Sequence, residues 1–355
     1  MPIVKRLVAQ WVDPFIVALI VVLVFGLLVP LPEGLRDVIG YVSTGMVALL
    51  FFLYGARLAT REVLGGLTHW RLQGAILVTT FVLYPVLGLA LARLVEGWVG
   101  PAFALGLAYV ALLPSTVQSS VAFVSIARGN VPGAICGATV SNVLGMFLTP
   151  LLVMWLLADR IGMLGGAGVS TGVGGAGDAA AVGLSRIGNV FLGLLLPFII
   201  GQLVQPWIGK WVRAHRPLTL AVDRGTILLV VLGAVASATA AGKWDDLHAG
   251  EFGALLGATV VLLAVVLAAT WWGGKALGLN YADRTALLQC GSTKSLATGL
   301  PMAGVLLPAA ALSSVVIPIV IYHQLELIVC SVIAKRQEQR AVALERPGKQ
   351  AQAAA

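Results

Sequence analysis

A lysine stands in the middle of an apolar segment: Lys294, in residues 289–302, QCGSTKSLATGLPM. An ammonium at membrane depth costs about 2.5 to 3.5 kcal/mol by insertion scales, so a lysine there points to function. Around it lie Cys290, Ser292, Thr293, Ser295 and Thr298 with Gly291 and Gly299. These are the small polar residues that a discontinuous helix needs for its freed backbone groups. A second polar break occurs at residues 113–120, LPSTVQSS, which contains Ser115, Thr116, Gln118, Ser119 and Ser120. Two broken helices in corresponding positions of two halves point to a transporter's binding site. Half-helices starting near Thr116 and near Thr293, each capped by Ser or Thr, would aim their positive ends at the midplane; together with Lys294 they favour an anionic group. The competing reading is that these small residues only pack crossing helices closely. Gln118, with both donor and acceptor, is the leading polar candidate at the first break, and Asn142, midway along the next segment, follows it.

Two further residues share a helix face, His323 and Glu326, three apart. Glu326 is either the counter-ion of Lys294, or an interfacial carboxylate beside a histidine that donates to a backbone carbonyl. Ser295 beside Lys294 is formally the nucleophile and base of an intramembrane hydrolase, but no oxyanion-hole or GxSxG pattern accompanies it. Residues 162–177, GMLGGAGVSTGVGGAG, are half glycine; no strand precedes them and no GK[ST] follows, so they read as a linker and not a nucleotide site. Cys136, Cys290 and Cys330 fall in apolar segments without a CxxC pair, which leaves neither a disulfide framework nor a zinc site and gives them the role of small buried residues.

Composition says what carries these residues. The 355 residues are 59% hydrophobic and 11% charged, with a mean hydropathy of +0.97. A soluble domain carries about 25% charged residues, so this is a polytopic membrane protein. The apolar runs suit helices and lack the alternation of an outer-membrane barrel, which makes the chain all-α. Ten spans are expected, at roughly 14–30, 38–57, 72–93, 101–127, 131–157, 187–209, 221–241, 252–274, 283–306 and 308–334. Residues 4–29 are too long for a signal peptide's apolar region and read as the first span. With ten crossings, 17 of the 23 Lys and Arg fall on the side of the termini and five on the other. That asymmetry predicts cytoplasmic termini and explains the net charge of +8 without nucleic acid. The organisation is then a first five-span repeat at 1–160, a Gly-rich linker at 161–186, a second, inverted repeat at 187–334 and a frayed tail at 335–355. Tryptophans near the span ends form an interfacial belt with no substrate role.

With spans and breaks in place, the chain resembles the bile acid:sodium symporter superfamily, in its SBF-like branch of bacterial inner-membrane proteins and the vertebrate solute carrier family 10 member 7 type. The residues that carry this are DPF at 13–15, LLFFLYGARL at 49–58, HWRL at 69–72, LPSTVQSSVAF at 113–123, GNV at 129–131, FLTPLL at 147–152, CGSTKSLATGLPMA at 290–303 and YHQLEL at 322–327. The resemblance implies ten helices in a panel domain (spans 1, 2, 6 and 7) and a core domain whose broken helices 4 and 9 cross. It also implies a secondary transporter, symporter-like, that moves a small organic anion such as a bile-acid-like or other carboxylated or sulfonated amphiphile across the inner membrane, with sodium or a proton as coupling ion. Sodium-coupled relatives place a carboxylate and a glutamine where this sequence has Cys290 and Lys294, and a Ser and a Thr where it has Ala134 and Ala138. Their sodium ligands are therefore not preserved, and Lys294 stands as a sodium surrogate or as a proton-coupling residue. A membrane regulator of ion homeostasis that moves no solute is the alternative, and broken helices, which a scaffold does not need, argue against it.

Overall fold

The computed structural model describes residues 14–58, 69–164, 191–242 and 249–353, which are helical with no strand among them. In chain order the helices are α1 (Pro14–Leu28), α2 (Glu33–Arg57), α3 (Trp70–Val78), α4 (Tyr84–Ala111), α5 (Gln118–Ile126), α6 (Val131–Leu156), α7 (Ala158–Leu164), α8 (Leu196–Ala214), α9 (Arg216–Ala240), α10 (Ala249–Ala276), α11 (Tyr281–Ser292), α12 (Leu296–Leu306) and α13 (Ala309–Ala353). Among the described residues seven helices are long and apolar enough to cross a membrane, and α1 is a shorter apolar one. One of the seven joins α3 to α4 through a π-helical turn, Thr79–Leu83, and runs 42 residues. Unbent, that would extend about 63 Å, twice the hydrocarbon thickness. It bends at Gly100, whose φ of 74° only glycine adopts freely, with Pro101 next. The glycine-rich linker from residue 165 on lies outside the described residues. At the other end α13 outruns the span end expected at Ala334, because the residues that follow are rich in the strong helix formers Ala, Gln, Glu, Lys and Arg.

The chain divides into two compact units. The first holds residues 1–58, 159–248 and 300–316. Its centre is α2 against α8, where Gly55 and Gly201 let backbone meet backbone: a Cβ on Gly55 would come within 2.8 Å of the Gln202 nitrogen, and one on Gly201 within 3.0 Å of the Ala56 nitrogen. Such close approach suits a membrane protein, where apolar side chains gain little by leaving lipid and dispersion contacts hold helices together. Polar contacts also join its described helices. Thr239 Oγ1 of α9 donates to Gly26 O of α1 at 2.8 Å, and Arg57 and Asp223 form an ion pair at 3.8 Å.

The second unit holds residues 59–158, 249–299 and 317–355. Its apolar core is Leu72, Ile76, Val124, Ala134, Ala138, Ala286, Leu287 and Cys290, contributed by α3, α5, α6 and α11. Two helices of this unit are interrupted, the first with Leu112 to Ser115 buried and the second with Thr293 to Ser295 buried. α4 stops after Ala111 because Pro114 disfavours helical backbone at Leu113, and α5 resumes at Gln118. α11 stops after Ser292, Thr293 is extended, and α12 begins at Leu296. The half-helices thus start two and three residues later than the sequence suggests.

Candidate functional site

The two interruptions meet inside the second unit. Ser295 N–H donates to Pro114 O at 2.8 Å, and Ser115 Oγ donates to Cys290 O at 2.5 Å. Ser120 Oγ lies 2.6 Å from Thr293 Oγ1, which donates to Gln289 O at 2.9 Å. Each break therefore satisfies carbonyls or amides that the other leaves open, as buried backbone in a membrane requires. Asn142 on α6 closes the group by donating to Ser115 O at 2.5 Å and Ala138 O at 3.1 Å, while Ser141 Oγ accepts from Ser115 N–H. Ser292 Oγ turns back to Leu288 O.

Caps fall differently from expectation. Ser295, not Thr293, caps α12, its Oγ accepting from Thr298 N–H at 3.3 Å. α5 has no side-chain cap, since Val117 occupies that place. Thr116 Oγ1 and Ser119 Oγ are buried without a hydrogen-bond partner, and Gln118 is exposed rather than folded into the junction.

Lys294 is buried, 2% exposed, and its ammonium is held by backbone. Nζ donates to Leu113 O at 2.7 Å, Ala111 O at 3.1 Å and Thr80 O at 3.1 Å, and lies 4.0 Å from the centre of the Tyr84 ring. An ammonium has three hydrogens, so all are used. Chain chemistry explains why three carbonyls are free. Ala111 and Leu113 belong to the end of α4, where carbonyls lack helical donors and the helix dipole is negative. Thr80 sits in the π turn, where Tyr84 N–H goes to Thr79 O; the next nitrogen belongs to Pro85 and has no hydrogen for Thr80 O. The ring face adds a cation–π attraction.

Glu326 is fully buried, and neither of its oxygens is bonded to the ammonium. Its Oε2 accepts the backbone N–H of Lys294 at 2.7 Å, and its Oε1 lies 2.8 Å from His323 Nδ1, which replaces the backbone carbonyl expected for that histidine. The extended backbone at Thr293 turns the Lys294 N–H away from the helix axis, and a carboxylate takes it. His323 and Glu326 do share one face, as their spacing implies.

Sequence reasoning missed the residues that frame this cage. Tyr84 OH donates to Ser292 O at 2.6 Å, and Tyr322 OH, 3.1 Å from the same oxygen, donates to the Tyr84 hydroxyl oxygen. Tyr109 OH donates to Gly299 O at 2.9 Å, and Thr149 Oγ1 to Leu112 O at 2.8 Å. A Tyr-Pro pair inside an apolar run was the available signal for Tyr84 and Thr80.

Ala134, Ala138 and Cys290 lie together in the apolar core, with Cys290 Sγ 3.7 Å from Ala134 O. These three positions offer no side-chain oxygen, and Lys294 follows Cys290 by four residues in the chain.

A family profile described as the SBF-like CPA transporter family matches residues 13–339. The chain belongs to this family. An uncharacterized protein of Pseudomonas aeruginosa is 43% identical over 331 residues, covering 92% of this chain and 93% of that protein. "Putative symporter YfeH" of Escherichia coli is 37% identical over 333 residues, covering 94% and 95%. "Sodium/bile acid cotransporter 7" of Mus musculus is 26% identical over 319 residues, covering 86% and 87%. As a member of the SBF-like CPA transporter family the protein is a multi-pass membrane transporter and not an enzyme, which removes the hydrolase reading of Ser295 and Lys294.

Proposed function

We propose that this protein is a secondary transporter for a small organic anion, a carboxylated or sulfonated amphiphile, and that Lys294 supplies the positive charge that a bound sodium supplies in sodium-coupled relatives. The observation that carries this is the three-carbonyl cage around its ammonium. Carbonyl oxygens at a helix end are how broken helices hold a cation, and here the cation is covalently attached. The apolar packing of Ala134, Ala138 and Cys290 supports the same reading, because it removes side-chain oxygens that a sodium would need. With every ammonium hydrogen used, the anion meets the field of Lys294 and of the α5 and α12 N-termini rather than the amine itself. Thr116 and Ser119 are the hydroxyls with hydrogen-bonding capacity to offer it. The proton-coupling version needs Lys294 to leave its carbonyls, with Glu326 and His323 as partners for the rearrangement.

Ten crossings in two inverted five-span halves, both termini cytoplasmic and the panel and core arrangement complete the proposal. Supporting it, α1, α2, α8 and α9 share one compact unit, and α3 to α6 with α10 and α11 share the other. The inner membrane is the expected location. Single cysteines replacing Ser170 and Gln352 test the orientation: labelling at position 352 by an impermeant reagent from outside overturns it.

Function is tested by flux into sealed vesicles with a panel of carboxylated and sulfonated amphiphiles and quaternary amines, with and without sodium and pH gradients. Anion uptake without a sodium gradient is expected. Preference for quaternary amines contradicts the electrostatic argument.

A further inference from the structure

A second polar cluster lies at one end of the second unit, apart from the breaks. Its centre is Asp283, 3% exposed, in the first turn of α11. Its Oδ2 accepts from Asn280 Nδ2 at 2.8 Å and lies 3.1 Å from His69 Nε2; its Oδ1 accepts from Asn130 Nδ2 at 2.6 Å. Asn280 is the N-cap of α11, its Oδ1 accepting from Asp283 N–H at 2.9 Å. Asn130 is the N-cap of α6, its Oδ1 accepting from Gly133 N–H at 2.8 Å, and its own N–H donates to Ala282 O at 3.0 Å. His69 is the residue before the first turn of α3. One carboxylate therefore joins the N-terminal ends of three helices, each carrying a partial positive charge that favours it.

Of the three side chains on Asp283 two are amides, which carry no charge, and one is an imidazole, which can take up a proton. His69 is the accessible member, with 45% of its side chain exposed against 4% for Asp283. The charged groups on the elements packed around Asp283 have other partners. Arg284 lies over the Trp271 ring, Lys275 over Trp272 and Arg71 over Trp70, and Tyr281 packs edge-on to Trp271. Arg128 sits in the turn ahead of Asn130, Glu251 is at the far end of α10, and α5 and α6 carry no charged side chain.

We infer that Asp283 is a positioning residue that clamps α3, α6 and α11 together at their N-termini, and that His69 makes the clamp tighten on protonation. A charged imidazole turns the His69 contact from a hydrogen bond with one ionised partner into a hydrogen-bonded ion pair. α11 runs from this clamp to the Lys294 break, and α3 runs from it to the Thr80 carbonyl. The clamp thereby sets how firmly the two halves of the cage are held. This inference rests on the hydrogen bonds of Asp283 alone and is independent of substrate or coupling ion.

Cys290 is a reporter already in place, since its thiol lies on α11 against Ala134 O of α6. In the full chain with Cys136→Ser and Cys330→Ser, alkylation of Cys290 by N-ethylmaleimide is followed from pH 5.5 to 8, each rate divided by that of the same protein unfolded in detergent. The corrected rate is expected to rise about threefold over that range, the scale of a partly exposed charge contact. His69→Gln should abolish the rise. Asp283→Asn should give fast labelling at every pH, and where it fails to fold Asn130→Ala, which removes one arm only, should give intermediate labelling. Matching pH profiles in the parent and His69→Gln overturn the role of His69, and unchanged labelling in Asn130→Ala overturns the clamp.

Discussion

The two compact units hold their helices by opposite means. In the first, α2 and α8 meet backbone to backbone at Gly55 and Gly201, and its ion pair, Arg57 with Asp223, is loose and 46% exposed on the arginine side. In the second, broken helices exchange hydrogen bonds through Ser115, Ser120, Asn142, Thr293 and Ser295, and the cation at their junction touches no carboxylate. At Gly55 and Gly201 the first arrangement is backbone packing, with no side chain to rearrange. The second buries many, most of them held by specific partners across the breaks while Thr116 Oγ1 and Ser119 Oγ have none, and such a set can be rearranged between two discrete arrangements.

Substitutions sharpen this contrast. Lys294→Met strands three carbonyls at roughly 1–3 kcal/mol each, partly offset by about 3 kcal/mol of relieved charge burial. The expected net loss is about 3 kcal/mol, read as the largest drop in thermal midpoint in detergent; an unchanged midpoint would mean the cage is not built as described. Gly201→Ala in the first unit drives a methyl into the α2 backbone and should cost about 2 kcal/mol, because overpacking at a backbone contact cannot be relieved by a rotamer change. A neutral outcome there would show the glycine contact to be loose. Tyr84→Phe keeps the ring under the ammonium and removes one hydroxyl bond to Ser292 O, with a loss of about 1 kcal/mol expected. Smallest is Arg57→Ala, about 0.5 kcal/mol, as for other exposed ion pairs. A cost above that of Tyr84→Phe would reverse the contrast between the units.

The breaks were legible because a lysine with serines and threonines is costly inside an apolar run unless the backbone there is interrupted and has groups to be satisfied. Their meeting was legible as well, through the resemblance, which implies that the two broken helices cross. The partners of Lys294 are all backbone carbonyls, which no side-chain type announces; a proline inside an apolar run, as at Pro85, marks where one is freed but not what takes it. Opposite charges suggest that Glu326 pairs with the ammonium. It serves the Lys294 backbone N–H instead, a group present at every residue but proline and made available here by the extended conformation at Thr293. Asp283 carries no signal in the sequence because a carboxylate in a first helical turn is ordinary; what distinguishes it is Asn130, distant in sequence and adjacent in the fold.

The most direct test of the tethered-cation account needs no substrate. The thermal midpoint of the purified protein is measured in sodium, potassium and choline chloride at equal ionic strength, for the natural chain and for Lys294→Gln. A bound ion stabilises by RT ln(1 + [L]/Kd), about 2.7 kcal/mol at a hundredfold excess over Kd. The natural chain is predicted to show no difference among the three salts, and Lys294→Gln, with the cage vacated by the ammonium, to be stabilised selectively by sodium. Selective stabilisation of the natural chain by sodium would contradict the account.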